Sequence, residues 1–140
     1  MDKKYLFVTA WNIYWMREGM EEEPPDLIGY DKELRFYPGS NFQADWALVG
    51  YPILIEVNGK IGSKRRGGHD SWYGYHRDIN KVRLAASIGY FVFSYTTHEL
   101  NYENVRYGGK NKPPYSFTAI ELIAPIHDCM RRIDRQRGEF

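Results

Sequence analysis

Hydrophobic residues recur at helical spacing near both ends of the chain. The first pattern lies between residues 3 and 18 and consists of Leu6, Phe7, Ala10, Trp11 and Tyr14. The second consists of Ala119, Leu122, Ile123, Ile126, Cys129, Met130 and Ile133. Residues three or four positions apart share one face of an α-helix, so each pattern predicts an amphipathic helix. Thr118 and Glu121 have the spacing of a capping box at the start of the second helix, and Pro125 is expected to kink or restart it.

Short apolar runs in the middle of the chain predict β-strands. One is Leu34 to Tyr37, and two more are Phe42 to Val49 and Ile53 to Val57, which predict a β-hairpin. Gly50, Tyr51 and Pro52 separate the last two runs, and both a two-residue turn and a four-residue loop are compatible with them. A loop centred between residues 50 and 51 pairs residues whose numbers sum to 101, which places Asp45 opposite Glu56.

The chain after the hairpin predicts a crossover connection to a further strand. Gly59 to Tyr75 reads as a loop long enough to favour a binding role. Arg77 to Ile88 predicts a helix, and Tyr90 to Tyr95 predicts a buried strand parallel to Ile53–Val57. Asn101 to Tyr115 is an irregular polar segment. The inner face of the middle helix is expected to consist of Ile79, Val82, Ala86 and, less regularly, Leu84 and Ala85.

This order of elements (α, β, β-hairpin, α, β, α) predicts an α/β fold, with a small mixed sheet flanked by helices. A length of 140 residues fits a single domain over residues 1–140. Its core is expected at about residues 30–97, with the first and last helices as additions. No stretch approaches the roughly 20 apolar residues of a membrane span. A single cysteine, Cys129, excludes an internal disulfide and a cysteine zinc cluster, so a reducing cytoplasmic compartment is expected.

The charge of the chain is unevenly distributed. The segment from Lys60 to Arg83 contains seven basic and two acidic residues, a net +5, whereas the whole chain carries only +1. A basic segment on a near-neutral protein indicates one face that meets a polyanion such as DNA, or else an ordinary solvated loop.

Asp45 and Glu56 are the most informative polar residues, because they interrupt otherwise apolar strands. Directly opposed residues of an antiparallel pair share a face of the sheet, with Cβ atoms about 5 Å apart. Two carboxylates at that distance repel each other, and a divalent cation such as Mg²⁺ or Mn²⁺ resolves the conflict. Such an ion can polarise a phosphodiester and activate a water molecule. The alternatives are an Asp45 at a solvated strand edge, or one that pairs with an arginine.

Several short segments together resemble the core of the PD-(D/E)XK nucleases, and more closely the small bacterial and phage proteins related to very-short-patch-repair endonucleases. The resemblance covers residues 33 to 97, roughly half of the chain. Its matching residues are Arg35-Phe36-Tyr37-Pro38, Phe42-Gln43-Ala44-Asp45-Trp46-Ala47, Ile55-Glu56-Val57-Asn58-Gly59, Gly67-Gly68-His69, Gly74-Tyr75, Asp78, Lys81, Ala85-Ala86 and Gly89-Tyr90. It implies a restriction-endonuclease-like fold.

The resemblance also implies a set of site residues. Asp45 and Glu56 would be metal ligands, with the carbonyl of Val57 as a third. The position of the usual lysine holds Asn58, which carries no charge, so the charge must come from elsewhere. Lys81 on the following helix is the first candidate for that role, and Lys60 is the second.

His69 and the basic segment complete the expected site. His69 would orient water or protonate the leaving oxygen, since its ordinary pKa is near neutrality; the alternative is a histidine bonded to loop backbone. The expected nucleic-acid-binding residues are Lys60, Lys64, Arg65, Arg66, Trp72 and Arg77. Trp72 and its neighbour Tyr73 would stack on a base, or else cap the core. The run from Arg131 to Arg137 either extends the DNA face or is favoured by the helix dipole alone.

These observations predict a metal-dependent DNA endonuclease that uses Mg²⁺ or Mn²⁺, and in which a homodimer would allow double-strand cuts. The alternative is a DNA-binding module of the same fold that has lost catalysis, because Asn58 replaces a lysine. A third reading is an interaction protein that uses its aromatic surface and the acidic segment around Glu21 to Glu23. No membrane association is expected.

Overall fold

The computed structural model describes residues 3–17, 22–29, 43–58, 68–101, 105 and 118–138. Within these ranges the helices are α1 (Tyr5–Arg17), α2 (Gly68–Ser87) and α3 (Ala119–Gln136). The strands are β1 (Leu27–Gly29), β2 (Trp46–Leu48), β3 (Ile53–Asn58) and β4 (Phe91–Thr96). The strands form one mixed sheet in the order β1-β2-β3-β4, so the predicted α/β class is confirmed. The predicted strand Leu34–Tyr37 and most of Asn101–Tyr115 lie outside the described residues.

The chain divides into two compact units, one of Asp26–Ser94 and one of Met1–Pro25 with Tyr95–Phe140. The single-domain organisation stays a prediction. The first unit contains the hairpin, the crossover helix and most of the sheet, and the second contains α1 and α3.

The predicted hairpin is confirmed, and so is its register within β2 and β3. The predicted pairing of Asp45 with Glu56 is wrong, because the N–H of Asp45 donates to the carbonyl of Ile55 instead. Trp46 pairs with Ile55 and Ala47 with Leu54, so the residue numbers sum to 101 as expected. Residues 49–52 form the connecting loop, the longer of the two predicted alternatives. Gly50 has a φ of 87°, a left-handed conformation that glycine adopts without a steric penalty.

Strand β1 extends the sheet beyond the hairpin, and the sequence did not predict it. It pairs antiparallel with β2, with Leu27 opposite Leu48 and Gly29 opposite Trp46. The indole of Trp46 lies against Gly29, where an added Cβ would approach a ring carbon to 3.0 Å. The absent side chain of Gly29 therefore makes room for the buried tryptophan.

Strand β4 starts at the same end of the sheet as β3. The N–H of Phe91 donates to the carbonyl of Pro52 at 2.8 Å, directly before β3 begins. The two strands are therefore parallel and α2 is the crossover between them, as predicted. The expected burial of β4 was wrong: Phe91 and Ser94 are exposed, because β4 lies at one edge of the described sheet.

Helix α2 is longer than predicted and buries a different face. It begins at Gly68 rather than Arg77, so residues 68–75 are helical and do not belong to a loop. The glycines and polar residues of this stretch show no hydrophobic helical spacing, so the sequence did not predict a helix there. The predicted inner face is confirmed at Ala85, which is fully buried, but was wrong for Ile79, Val82 and Ala86, which are exposed.

Small residues explain this orientation of α2. Ala85 packs with Ala44 and Leu54 in a buried cluster, to which Ala47, Tyr90 and Val92 add partly buried contacts. The short side chain of Ala85 lets the helix backbone approach the sheet closely, which larger side chains would prevent. Leu84 and Lys81 lie beside Ala85 in intermediate positions.

The unit that contains α1 and α3 has an aromatic core. Phe7 is fully buried, with its ring centroid 5.8 Å from that of Trp11 and 5.5 Å from that of Tyr95. The predicted capping box of Thr118 and Glu121 is present at the start of α3. Pro125 lies inside α3 and does not end the helix. The predicted buried face is confirmed except for Cys129, which is half-buried.

His127 is a buried residue of α3 that contacts the end of α1. Its Nδ1 lies 2.8 Å from the hydroxyl of Tyr14, and its Nε2 lies 2.9 Å from a carboxylate oxygen of Glu22. Its ring also packs against Trp15, with centroids 4.6 Å apart. Both ring nitrogens therefore have a polar partner, Tyr14 inside the core and Glu22 at its exposed edge.

Candidate active site

Asp45 precedes β2 and is bonded to β3 through both its backbone and its side chain. The N–H of Asp45 donates to the carbonyl of Ile55 at 3.1 Å, although Ile55 is already the partner of Trp46. Two residues of one strand thus meet one residue of the other, as in a β-bulge. At this point Asp45 Oδ2 accepts a hydrogen bond of 2.7 Å from the N–H of Val57. The carboxylate of Asp45 therefore lies against the peptide that joins Glu56 to Val57.

The carboxylate of Glu56 is paired with a lysine from the crossover helix. Lys81 Nζ lies 3.3 Å from Oε1 and 3.4 Å from Oε2 of Glu56. The same ammonium donates to the carbonyl of Gln43 at 2.9 Å, two residues before Asp45. The side chains are only 15% (Lys81) and 12% (Glu56) exposed, so solvent screens this pair weakly.

Matching periods of strand and helix bring Lys81 to Glu56. Leu54 and Glu56 are two residues apart and share one face of β3. Lys81 and Ala85 are four residues apart and share one face of α2. Because Ala85 packs against Leu54, the preceding helical turn places Lys81 against Glu56. The register of the sheet and the packing of Ala85 therefore fix this contact together.

The resulting group can attract a cation. Two carboxylates and one ammonium leave a net charge of −1 when all three are ionised, and Asp45 is held in place by a backbone donor. Among the described residues there is no cluster of three or more His, Cys, Asp or Glu side chains suited to a metal ion. Mg²⁺ commonly binds through only one or two carboxylates and completes its shell with water and phosphate oxygens, so each of these carboxylates is a type of donor that such an ion takes.

The other predicted site residues fall into three groups. Val57 and Asn58 lie at the end of β3, next to Glu56, and Asn58 is half-buried. Lys60, Lys64, Arg65 and Arg66 lie outside the described residues. His69, Trp72 and Arg77 lie in α2, which corrects the expected loop position of the first two. Of these three side chains only that of Arg77 is described, and it is exposed.

Gln43 is a described member of the site that the sequence did not predict. Its contribution is a backbone carbonyl, which any residue could supply, so no residue type marks the position. His76 lies in the middle of α2 with an exposed side chain.

Known proteins add no relative from which a role could be transferred. No family model matches the chain, and no curated protein or solved structure matches it. In the described part of the chain, no helix combines the length and apolar character needed to cross a membrane.

Replacement of Lys81 by methionine is expected to lower the free energy of unfolding by about 2–3 kcal/mol. The change keeps the long apolar stem but leaves a largely buried carboxylate at Glu56 without its ammonium. Removal of one partner from a fully buried pair costs about 3–5 kcal/mol, and the partial exposure here reduces that figure. Urea denaturation measures the change. Arg83→Met, an exposed substitution two residues further along α2, should change stability by less than about 0.5 kcal/mol.

Proposed function

We propose that this protein is a metal-dependent DNA endonuclease of the PD-(D/E)XK type. The observation that carries the proposal is the convergence of Lys81, from α2, on Glu56 beside the anchored carboxylate of Asp45. The resemblance of the sequence requires two acids and a nearby positive charge, yet the usual lysine position holds Asn58. Lys81 supplies the missing charge from a different element.

Each residue has a distinct task in this proposal. Asp45 and Glu56 would hold a Mg²⁺ or Mn²⁺ ion, with the carbonyl of Val57 as a further ligand. The bound ion supplies Lewis-acid stabilisation of the phosphodiester and lowers the pKa of an attacking water. Lys81 provides positive charge next to the phosphate oxygens as negative charge develops on them. Asn58, two residues after Glu56 on the same face of β3, hydrogen-bonds water or phosphate, and His69 remains a proposed proton donor.

The basic segment that follows β3 would hold the DNA. Lys60, Lys64, Arg65 and Arg66 contact phosphates in this proposal, and the exposed Arg77 on α2 extends the same charge. Phosphate contacts give affinity without a choice of sequence. Trp72 is proposed to stack on a base. We place the activity in the cytosol, with a homodimer as the form that cuts both strands.

Incubation of the purified protein with plasmid, branched and mismatched DNA tests this function. Cleavage is expected in Mg²⁺ or Mn²⁺ and should stop when EDTA removes the ion. An Asp45→Ala preparation, purified in parallel, reveals a contaminating nuclease, because a contaminant would cut equally well in both samples. If no substrate is cut with either metal, the proposed activity is wrong.

A catalytically inactive DNA-binding module is the second candidate. The Lys81–Glu56 ion pair favours it, because this pair already neutralises one of the two carboxylates without a metal. This candidate predicts DNA binding that weakens with salt and with Arg65→Ala and Arg66→Ala, and no cleavage under any metal. The endonuclease is preferred because the charge of the three side chains remains negative after the pairing.

A further inference from the structure

We propose that α3 carries a second binding site for the phosphate backbone of nucleic acid. Asp128, Arg132, Arg135 and Gln136 line one open groove along the exposed side of this helix, here named the α3 groove. The inference rests on the proposal that DNA is the partner of this protein. It adds a contact region that lies outside the segments resembling the nuclease core.

The two arginines of the α3 groove are available to a ligand. Both are exposed, and within the described ranges neither lies within ion-pair distance of a carboxylate. Arg131, one position earlier than Arg132, differs from them because it lies 3.6 Å from Glu22. One arginine of this helix thus joins the contact around His127, while the next two face the groove.

The helix dipole does not account for both arginines. Its effect is confined to the last turn, and Arg135 is the basic residue of that turn in α3. Arg132 lies one turn earlier, so its position needs another reason. A rise of 1.5 Å per residue places the two Cα atoms about 4.5 Å apart along the helix axis. Flexible side chains at this spacing can reach neighbouring phosphates of one strand, whose charges follow each other every ~3.4 Å along the axis.

The chemistry of the lining favours an extended polyanion over a small molecule. Small-molecule sites are enclosed and mostly apolar. The α3 groove is open, and the described side chains that line it are two guanidinium groups, one amide and one carboxylate. Arginine and glutamine donate hydrogen bonds to phosphate oxygens, whereas Asp128 repels them. Removal of the charge of Arg132 should therefore weaken DNA binding, whereas removal of the charge of Asp128 should strengthen it.

Fluorescence anisotropy with a labelled DNA duplex tests the inference without metal and on a Glu56→Gln background, so that no cutting interferes. Arg132→Gln with Arg135→Gln should weaken binding roughly 60-fold at 0.1 M salt and reduce the slope of log K against log salt by about 1.8, because each phosphate contact contributes ~0.9. Asp128→Asn should strengthen binding about two- to fivefold. Lys3→Gln with Lys4→Gln removes the same total charge at the start of α1 and is the matched control.

The outcomes separate this site from the proposed catalysis. Equal weakening in the control and groove variants would mean that only total charge matters, and would overturn the site. Unchanged binding by the groove variants, in a protein that cuts DNA, would overturn the site and leave the endonuclease intact. Weakened binding specific to the groove supports the site even if the wild type cuts nothing. No DNA binding by the Glu56→Gln parent at low salt would overturn the α3 site.

Discussion

Glu56→Gln is expected to reduce metal-dependent DNA cleavage by about 10³-fold or more while the protein stays folded. Glutamine has the shape of glutamate and keeps an oxygen that can accept from Lys81, which also keeps its bond to the carbonyl of Gln43. We therefore expect the packing of β3 against α2 to survive with a lower free energy of unfolding. The substitution removes the negative charge that the proposed ion requires. A loss of about 4 kcal/mol of transition-state stabilisation corresponds to a 10³-fold slower reaction. Single-turnover cleavage of a labelled duplex in Mg²⁺ measures the rate.

Two further measurements make this result specific. Glu23→Gln is the matched control, because Glu23 is an exposed glutamate outside the candidate site. Titration with Mn²⁺ should show weaker binding to the Glu56→Gln protein than to the wild type, independently of any cleavage. Cleavage by the Glu56→Gln variant at the wild-type rate would exclude Glu56 as a ligand, and with it the proposed mechanism.

Phe7→Ala is expected to lower the free energy of unfolding by about 3–5 kcal/mol. Phe7 has no exposed surface, and its ring contacts Trp11 on the same helix and Tyr95 on β4. Truncation removes these contacts and leaves a cavity that large neighbouring rings cannot fill by small shifts. Domains of this kind are stable by only about 5–15 kcal/mol, so the loss is a large share of the total. Urea denaturation followed by near-ultraviolet circular dichroism measures it.

Met16→Ala on the same helix provides the comparison for Phe7. Its side chain is 81% exposed, so the substitution should change stability by no more than about 0.5 kcal/mol. A similar small effect at Phe7 would show that the aromatic core does not stabilise this part of the chain.

Local rules predicted much of the fold. The hairpin register followed from the two apolar runs around Gly50, and the capping box marked the start of α3. The buried face of helix α2 was harder to predict, because Ala85 rather than the larger Ile79 or Val82 packs against the sheet. An alanine that lets the helix approach the sheet closely contributes little to a hydrophobic pattern. The spacing of the larger apolar residues therefore predicted the wrong face. The three-residue strand β1 is too short to produce an alternating pattern.

The sequence predicted those members of the candidate site that contribute a charged side chain, and missed those that contribute only backbone atoms. Asp45 and Glu56 stood out as charges in apolar strands, and Lys81 was the first substitute for a missing lysine. The structure brings Lys81 to Glu56 through the packing of α2, a tertiary contact that no spacing along the chain encodes. The bulge at Asp45 and the carbonyl of Gln43 are backbone features, which have no residue signature.

The bond between Asp45 and Val57 restricts the orientation of the Asp45 carboxylate. Oδ2 of Asp45 accepts from a peptide N–H at 2.7 Å, which uses one of the lone pairs of this oxygen and leaves the others open. The same bond fixes the rotamer of Asp45 before any ion arrives, which lowers the entropy lost on binding. Asp45→Ala would therefore also deprive a buried strand of an acceptor, whereas Asp45→Asn would retain one. Of the two, the asparagine variant isolates the charge.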